Sequence, residues 1–254
     1  MAPIHSVKNT EPALFSLGWV LCLPPNRLVP TIMTDNATWR VELHCHSRCS
    51  PDSLTTPEAI VAACRQRGID RIAITEHNNI VGALAVQRLS PELVIVGEEI
   101  KSAEGDIVGW FVSKEIPKGL SLEETISRLK DQGAVIVIPH PLDSLRGGSA
   151  LGLEATLRII EQVDAIEVLN ARCMRASDND QARQIAQEYG KLMTAGSDAH
   201  TAGEIGTVVM RMPPFHDADS FRASLALGDI EGGRSSQIVR LYSTYAKLHH
   251  RLIG

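Results

Sequence analysis

Polar and apolar positions in this chain alternate between two rhythms. Short, almost continuous apolar runs at 40–43, 71–74, 93–96, 135–139, 165–169 and 192–197 each stop beside His, Asp or Glu, or in one case Asn170. Strands buried on both faces read as such runs, and a parallel sheet supplies that double burial. The segments between them carry helical spacing and helix punctuation. Thr56-Pro57-Glu58 combines a cap, a proline at the first helical position and an acid in the first turn, and Gly68 closes the helix. Ser121-Leu122-Glu123-Glu124 reads as a capping box for a helix ending at Gln132-Gly133. Further helices are expected at 79–88, 149–162, 177–189 and 217–227, with extra strands at 107–112 and 207–212.

About seven strand-helix units without a pause point to one small α/β barrel over 36–254. Its last element, 236–252, is a basic amphipathic helix whose stripe of Ile238, Leu241, Tyr245, Leu248 and Leu252 is expected to pack onto the barrel. The first 35 residues stand apart. Ala13 to Pro25 is apolar, but Glu11 sits where a signal peptide has basic residues, and no small-x-small cleavage site follows. An N-terminal extension ahead of an alternative start at Met33 is the expectation.

The chain has 254 residues, of which 44% are hydrophobic, enough for a sizeable core. A formal charge of -5 argues against an extended nucleic-acid surface or an anionic-membrane binder. Five unpatterned cysteines imply no disulfide framework and favour a reducing, cytoplasmic setting. Cys45 and Cys49 lack a matching downstream pair for zinc, and strand alternation turns Cys45 away from the face of its neighbours.

In an α/β barrel, strand C-termini carry the chemistry. Here that edge holds His44, His46, Asp52, His77, Glu99, His140, Asp198 and His200. His-x-His on a strand end puts two imidazoles on one side, a spacing suited to a divalent ion. Eight candidates exceed what one tetrahedral ion needs, so two or three ions are expected, or some positions support the ligands from behind. Glu99 suits a bridge between ions, while Glu98 should point the other way.

The motifs His44-Cys45-His46-Ser47, Thr75-Glu76-His77-Asn78, Gly97-Glu98-Glu99-Ile100, Pro139-His140-Pro141 and Gly196-Ser197-Asp198-Ala199-His200, in this order between about Arg40 and Met212, resemble those of the PHP (polymerase and histidinol phosphatase) superfamily. The resemblance implies a distorted (β/α)7 barrel and two or three ions of manganese, zinc, iron or magnesium serving phosphoester hydrolysis. By position, His44, His46, Glu99 and Asp198 would hold one ion, Glu99 and His140 a second, and Asp52, His77 and His200 a third. Three features depart from the pattern: Glu76 stands where an Asp is common, Pro51 adds a residue before Asp52, and no His follows Glu99, leaving Asp106 as a substitute ligand.

Arg146 and Arg172 follow strand ends on the same face, and a guanidinium fork matches a phosphate that is not being cleaved. His200 or water could protonate the leaving oxygen. The resemblance to small stand-alone PHP proteins implies a nucleotide, another small phosphomonoester or a short oligonucleotide trimmed from its 5′ end. A histidinol-phosphate phosphatase and a non-catalytic metal-binding regulatory module are the alternatives.

Overall fold

A computed structural model describes residues 38–236 and 239–253; the expected extension over 1–35, the start at Met33, Cys22 and Ile238 lie outside the described residues. Nine strands form one sheet: β1 (Trp39–Cys45), β2 (Arg71–His77), β3 (Val94–Lys101), β4 (Asp106–Trp110), β5 (Val135–Ile138), β6 (Ala165–Asn170), β7 (Leu192–Gly196), β8 (Val208–Met212) and β9 (Asp229–Gly232). Their order is β7-β6-β5-β4-β3-β2-β1-β8-β9. Beyond β7 the chain returns to β1: His46 N donates to Ala199 O at 2.8 Å and Ala199 N to His44 O at 3.1 Å. The first seven strands therefore nearly close into a barrel, with β8 and β9 continuing antiparallel from β1.

The segment expected as an extra strand near 107–112 is a stave of that barrel, antiparallel to both β3 and β5. A tight turn replaces the crossover helix, with Ser102 N donating to Gly105 O at 2.9 Å and Ser102 Oγ accepting from Gly105 N at 3.1 Å. That hairpin is the distortion of an otherwise parallel barrel.

Outside the sheet lie α1 (Pro57–Arg67), α2 (Val81–Leu89), α3 (Leu122–Asp131), α4 (Gly152–Ile159), α5 (Ala176–Glu188), α6 (Ala218–Leu225) and α7 (Val239–Ile253). Thr56 caps α1 by accepting from Ala59 N at 3.2 Å, and Gly68 closes it at φ 62°. Ser121 caps α3 as expected, but the box is incomplete because Glu124 pairs with Arg128 at 2.7 Å; the full capping box lies at Asp217 and Ser220 of α6.

Both faces of the staves are buried. Val41, Leu43, Ala73, Ile95, Val137, Ala165 and Ala195 point inward onto a floor containing Trp110 and Phe221, whereas Ile72, Ile74, Ile100, Ile136 and Ile166 pack under the helices. A register shift in β1 between Glu42 and Cys45 changes the parity of the strand. His44 and His46 consequently share the interior with Val41 and Leu43, while Cys45 joins the outer layer with Ile60 and Cys64.

The C-terminal helix departs from expectation. Ser243 and Ala246 of α7 are buried, and Leu241, Tyr245, Leu248 and Leu252 are exposed. The barrel rim under α7 is polar, so polar anchors turn the helix: Arg172 Nη2 donates to Ser243 Oγ at 2.8 Å, Lys247 Nζ lies 3.3 Å from Asp52 Oδ2, and His250 Nε2 contacts Ser53 O at 3.0 Å.

Candidate metal centre

All eight residues singled out in the sequence converge at the C-terminal mouth of the barrel. Glu99, inward on β3, sits at the centre. Its Oε1 is 2.9 Å from His140 Nε2, and its Oε2 is 3.1 Å from His77 Nδ1, 3.4 Å from His46 Nε2 and 3.5 Å from His44 Nε2. One oxygen thus faces one imidazole and the other faces three, the disposition of a bridging carboxylate. Asp198 Oδ1 approaches His46 Nε2 at 3.4 Å and His44 Nε2 at 3.7 Å. Asp52 closes the ring, with Oδ2 3.3 Å from His77 Nε2 and Oδ1 3.3 Å from His200 Nε2. The extra residue at Pro51 has not turned this carboxylate away. Glu98 points outward and accepts from Ile116 N at 3.0 Å, and burial pushes its carboxyl up to about 7.

Buried carboxylates behind the ring fix which imidazole nitrogen faces it. Glu167 Oε1, inward on β6, lies 3.0 Å from His44 Nδ1, placing the ring proton there and leaving Nε2 for the cluster. The opposite oxygen accepts from His140 N at 2.8 Å and Asn170 Nδ2 at 3.0 Å. Glu76 acts one step further back. Ser50 Oγ donates to Glu76 Oε2 at 2.5 Å, so its lone pairs accept from His77 N at 3.0 Å and His46 Nδ1 at 3.3 Å. The carboxylate that replaces an Asp therefore does not steer the His77 ring; it locks the loop that orients His46. Gly82 on α2 makes room for it, because a Cβ there would overlap the Glu76 carboxylate and approach Ser47 Oγ to 2.5 Å. His200 Nδ1 donates to Asp198 O at 2.8 Å, again leaving Nε2 with its lone pair.

Charges are balanced within the ring. Burial disfavours the imidazolium of His44, yet Asp198, Glu167 and Glu99 outweigh it and hold its pKa well above the ordinary value. Glu99 and Asp52 do the same for His77. Burial and the neighbouring His200 and His77 instead push His46 down to about 3. Despite burial, Glu99 and Asp198 stay ionised well below the usual carboxylate range, Glu99 through His77 and His44, Asp198 through Arg146 and His44. Asp106 is raised by burial and by Glu99.

Donor chemistry fits divalent ions. His44 Nε2, His46 Nε2, His140 Nδ1, Asp52 Oδ1 and Asp198 Oδ1 are buried and make no hydrogen bond. Buried polar atoms are rarely left so, and five around one ring of lone pairs call for cations. Four groups each bring their ligand atoms within 4.8 Å: His44-His46-Glu99, His44-His140-Asp198, His46-His77-His200 and Glu99-Asp106-His140. Imidazole with carboxylate suits zinc, manganese or iron, and the last, oxygen-rich group suits a harder ion.

A cleft of about 450 Å³ opens over the ring, bordered by Arg146, Arg172, Lys101 and Lys247. Arg146 Nη2 holds Asp198 Oδ2 at 2.5 Å and Asn170 Oδ1 at 2.9 Å, and Nε pairs with Asp143 at 2.9 Å. Arg172 is more deeply engaged, joining Ser243 of α7 and lying 3.6 Å from Glu204. The sequence marked Asn170 only as the polar end of a strand run, and it gave no role to Glu167, Ser50 or Lys247. A carboxylate at an inward position of the run 165–169 was the visible signal for Glu167; nothing in the sequence placed Lys247 beside Asp52.

Comparison with known proteins agrees with this geometry. The PHP domain family profile matches residues 42–136, and a second profile, described as PHP-associated, matches 176–230. An uncharacterised protein of Methanocaldococcus jannaschii is 38% identical over 146 residues, covering 52% of this chain and 82% of its own. The chain belongs to the PHP family. A more distant relative, named a "Probable phosphatase" of Caldicellulosiruptor saccharolyticus, is 25% identical over 65% of this chain and 82% of its own. Among solved structures, a two-domain Bacteroides vulgatus protein containing a predicted PHP-like metal-dependent phosphoesterase matches with a TM-score of 0.65 at 18% identity, covering 83% of this chain and 70% of that one. A lesion-specific endonuclease of Pyrococcus furiosus matches at 0.54 and 14% identity, over 76% and 58%. At these identities the structural matches speak for a shared barrel. Among the described residues, no helix is long and apolar enough to cross a membrane.

Proposed function

We propose that this PHP-family chain is a metal-dependent hydrolase of small phosphate esters, acting on nucleotides or short oligonucleotides. The observation that carries the reading is the cluster of eight His, Asp and Glu side chains centred on Glu99, with five buried atoms lacking hydrogen bonds. His44, His46, Glu99, Asp198, His140, Asp52, His77 and His200 would hold two or three divalent ions, with Asp106 in the place of an absent histidine. When bound, such ions supply Lewis-acid polarisation of phosphoryl oxygens and acidify water at neutral pH.

The chain's own groups do the rest. Glu167 and the Glu76-Ser50 pair keep the imidazole lone pairs aimed at the ring, so little reorganisation is needed when a phosphate arrives. Arg146 keeps Asp198 in place and, from the cleft wall, presents a guanidinium to a phosphoryl oxygen. Lys247 and Lys101 add positive charge to the rim. His200, with its proton on Nδ1 toward Asp198 O, suits a ligand role better than that of an acid, so solvent supplies the proton for the leaving oxygen.

The phosphoesterase named among structural neighbours and the phosphatase named among relatives support ester hydrolysis, and the endonuclease supports nucleotide substrates. A cytoplasmic location is consistent with the free thiols of Cys45, Cys49, Cys64 and Cys173. The test is a panel of phosphomonoesters, including histidinol phosphate, and of dinucleotides, offered to manganese-loaded protein with the products resolved by chromatography. Release of nucleoside monophosphates or inorganic phosphate is expected. Absence of turnover across the panel with metal bound would make the chain a metal-binding module instead.

A further inference from the structure

Helix α7 lies across the barrel mouth with its apolar face turned to water. Leu241, Tyr245, Leu248 and Leu252 are between 56% and 75% exposed and follow one another at spacings of four, three and four residues. That is the spacing of a seam between two helices, where apolar side chains recur every 3.5 residues on average. Successive residues turn by about 100° around a helix, so the four fall within an arc of about 60°. Ser243, Ala246 and His250, which meet the barrel, fall within a similar arc on the opposite side. Polar contacts tie the helix down: Arg172 to Ser243, Lys247 to Asp52 and His250 to the Ser53 carbonyl. A 15-residue helix whose apolar face is left unpacked is marginal in water.

Area and charge decide what covers this face. Together with Tyr242, 58% exposed at its edge, the four side chains leave about 600 Å² in water, taking roughly 200 Å² for each when fully exposed. Two copies would bury about 1,200 Å², which reaches the lower end of specific interfaces. A groove of about 310 Å³ beside Tyr242 and Tyr245, floored by Leu54, Ala59 and Ala202, extends the same apolar surface. Charge fixes the direction. Residues 239–253 include no acid, and Lys247, His249, His250 and Arg251 crowd towards the C-terminal end. A parallel pair would set these four against themselves. An antiparallel pair sets them beside residues 242–246, which carry no charge, with Leu241 opposite Leu252 of the other copy and Tyr245 opposite its Leu248. A lipid surface fits less well, because an interfacial helix offers its basic face to headgroups, whereas Lys247 and His250 turn to Asp52 and Ser53 on the barrel.

We propose that the chain forms a two-fold dimer in which α7 pairs antiparallel with α7 of a second copy along Leu241, Tyr245, Leu248 and Leu252. The same patch serves on both copies, so the assembly closes at two. Pairing also steadies the helix that brings Lys247 to Asp52 beside the metal cleft. The proposal is independent of which ester that cleft hydrolyses.

Sedimentation velocity of the full chain at about 100 μM tests the pairing, a concentration at which an interface of this size should be populated. The parent should sediment as two chains. Leu248→Lys and Leu241→Lys add charge of the sign the helix already carries, and each should raise the dissociation constant at least about tenfold. Near-ultraviolet circular dichroism matching the parent's would show that the barrel of these variants is folded. Direction is read by mild oxidation of cysteine variants: Leu241→Cys mixed with Leu252→Cys should cross-link well above the parent, and neither variant should do so alone. A parent that is monomeric at about 100 μM, or a dimer equally tight in both lysine variants, overturns the proposal. Cross-linking of Leu241→Cys to itself also overturns it, since that is the mark of a parallel pair. So does a monomer that floats with phosphatidylglycerol vesicles, which would give the face to a membrane.

Discussion

Changing Glu167 to Gln should weaken metal binding although Glu167 is not one of the ring's ligands. The carboxylate accepts from three donors: His44 Nδ1 at 3.0 Å, His140 N at 2.8 Å and Asn170 Nδ2 at 3.0 Å. A glutamine has one acceptor oxygen and one NH2. If the oxygen keeps His140 N and Asn170, the NH2 confronts the Nδ1 proton of His44, two donors in a site that excludes water. Relief comes by moving the proton to His44 Nε2, the atom that faces Glu99 and Asp198, and a protonated Nε2 has no lone pair for an ion. Loss of such an outer partner typically lowers metal affinity by about 10–100-fold, or about 1.4–2.8 kcal/mol. Manganese affinity, read by competition with a chelator, should fall by that factor. Glu161→Gln, at an exposed partner of Lys191, should leave it unchanged. Nitrogen-15 NMR of the metal-free variant, recorded above the raised pKa of His44 so that its imidazole is neutral, should show the single ring proton moved to Nε2. Affinity within twofold of the parent, with the proton still on Nδ1, would refute the reasoning.

Other outcomes follow from the same geometry. Glu99→Gln should reduce both metal stoichiometry and phosphoester turnover far more than Glu98→Gln, whose carboxyl faces Ile116 N; equal effects measured by metal analysis and kinetics would mean the inward face of β3 is misassigned. His44 and His77 carry pKa values raised by surrounding carboxylates, so near pH 7 both are protonated without metal and must release protons on binding it. Metal affinity should therefore rise with pH, with about two protons released per loaded chain when calorimetry is repeated in buffers of different ionisation enthalpy; no release would contradict this charge state. Arg172→Ala should speed amide hydrogen exchange over 239–250 by loosening α7 from Ser243, while Arg146→Ala should raise KM for phosphoesters; an unchanged exchange rate together with an equal KM effect would return Arg172 to the role of phosphate anchor.

Much of this architecture is legible in the sequence because burial on both sheet faces leaves no polar alternation within the staves, so runs such as 135–139 stand out. The ring is legible for a related reason: a charged residue just after such a run has no place in the core. Parity decided more than the sequence could show. The shift within β1 that brings His44 and His46 inward with Leu43 has no sequence mark, and neither does the hairpin that makes 106–110 an antiparallel stave. Glu76 was read as a deviation near His77, whereas outward parity sends it to Ser50 and Gly82. The stripe on α7 misled because an apolar face normally seeks the core; here Arg172, Asp52 and the Ser53 carbonyl draw the polar face in.

Phosphate release from a nucleotide substrate, measured as manganese is added stepwise to metal-free protein, tests the central claim most directly. The account predicts no release without metal, a rise that is completed only after at least two equivalents are bound, and loss of activity on chelation. Saturation of binding below one equivalent, or full loading of the ring with release of neither inorganic phosphate nor nucleoside monophosphate from nucleotide and dinucleotide substrates, would contradict it.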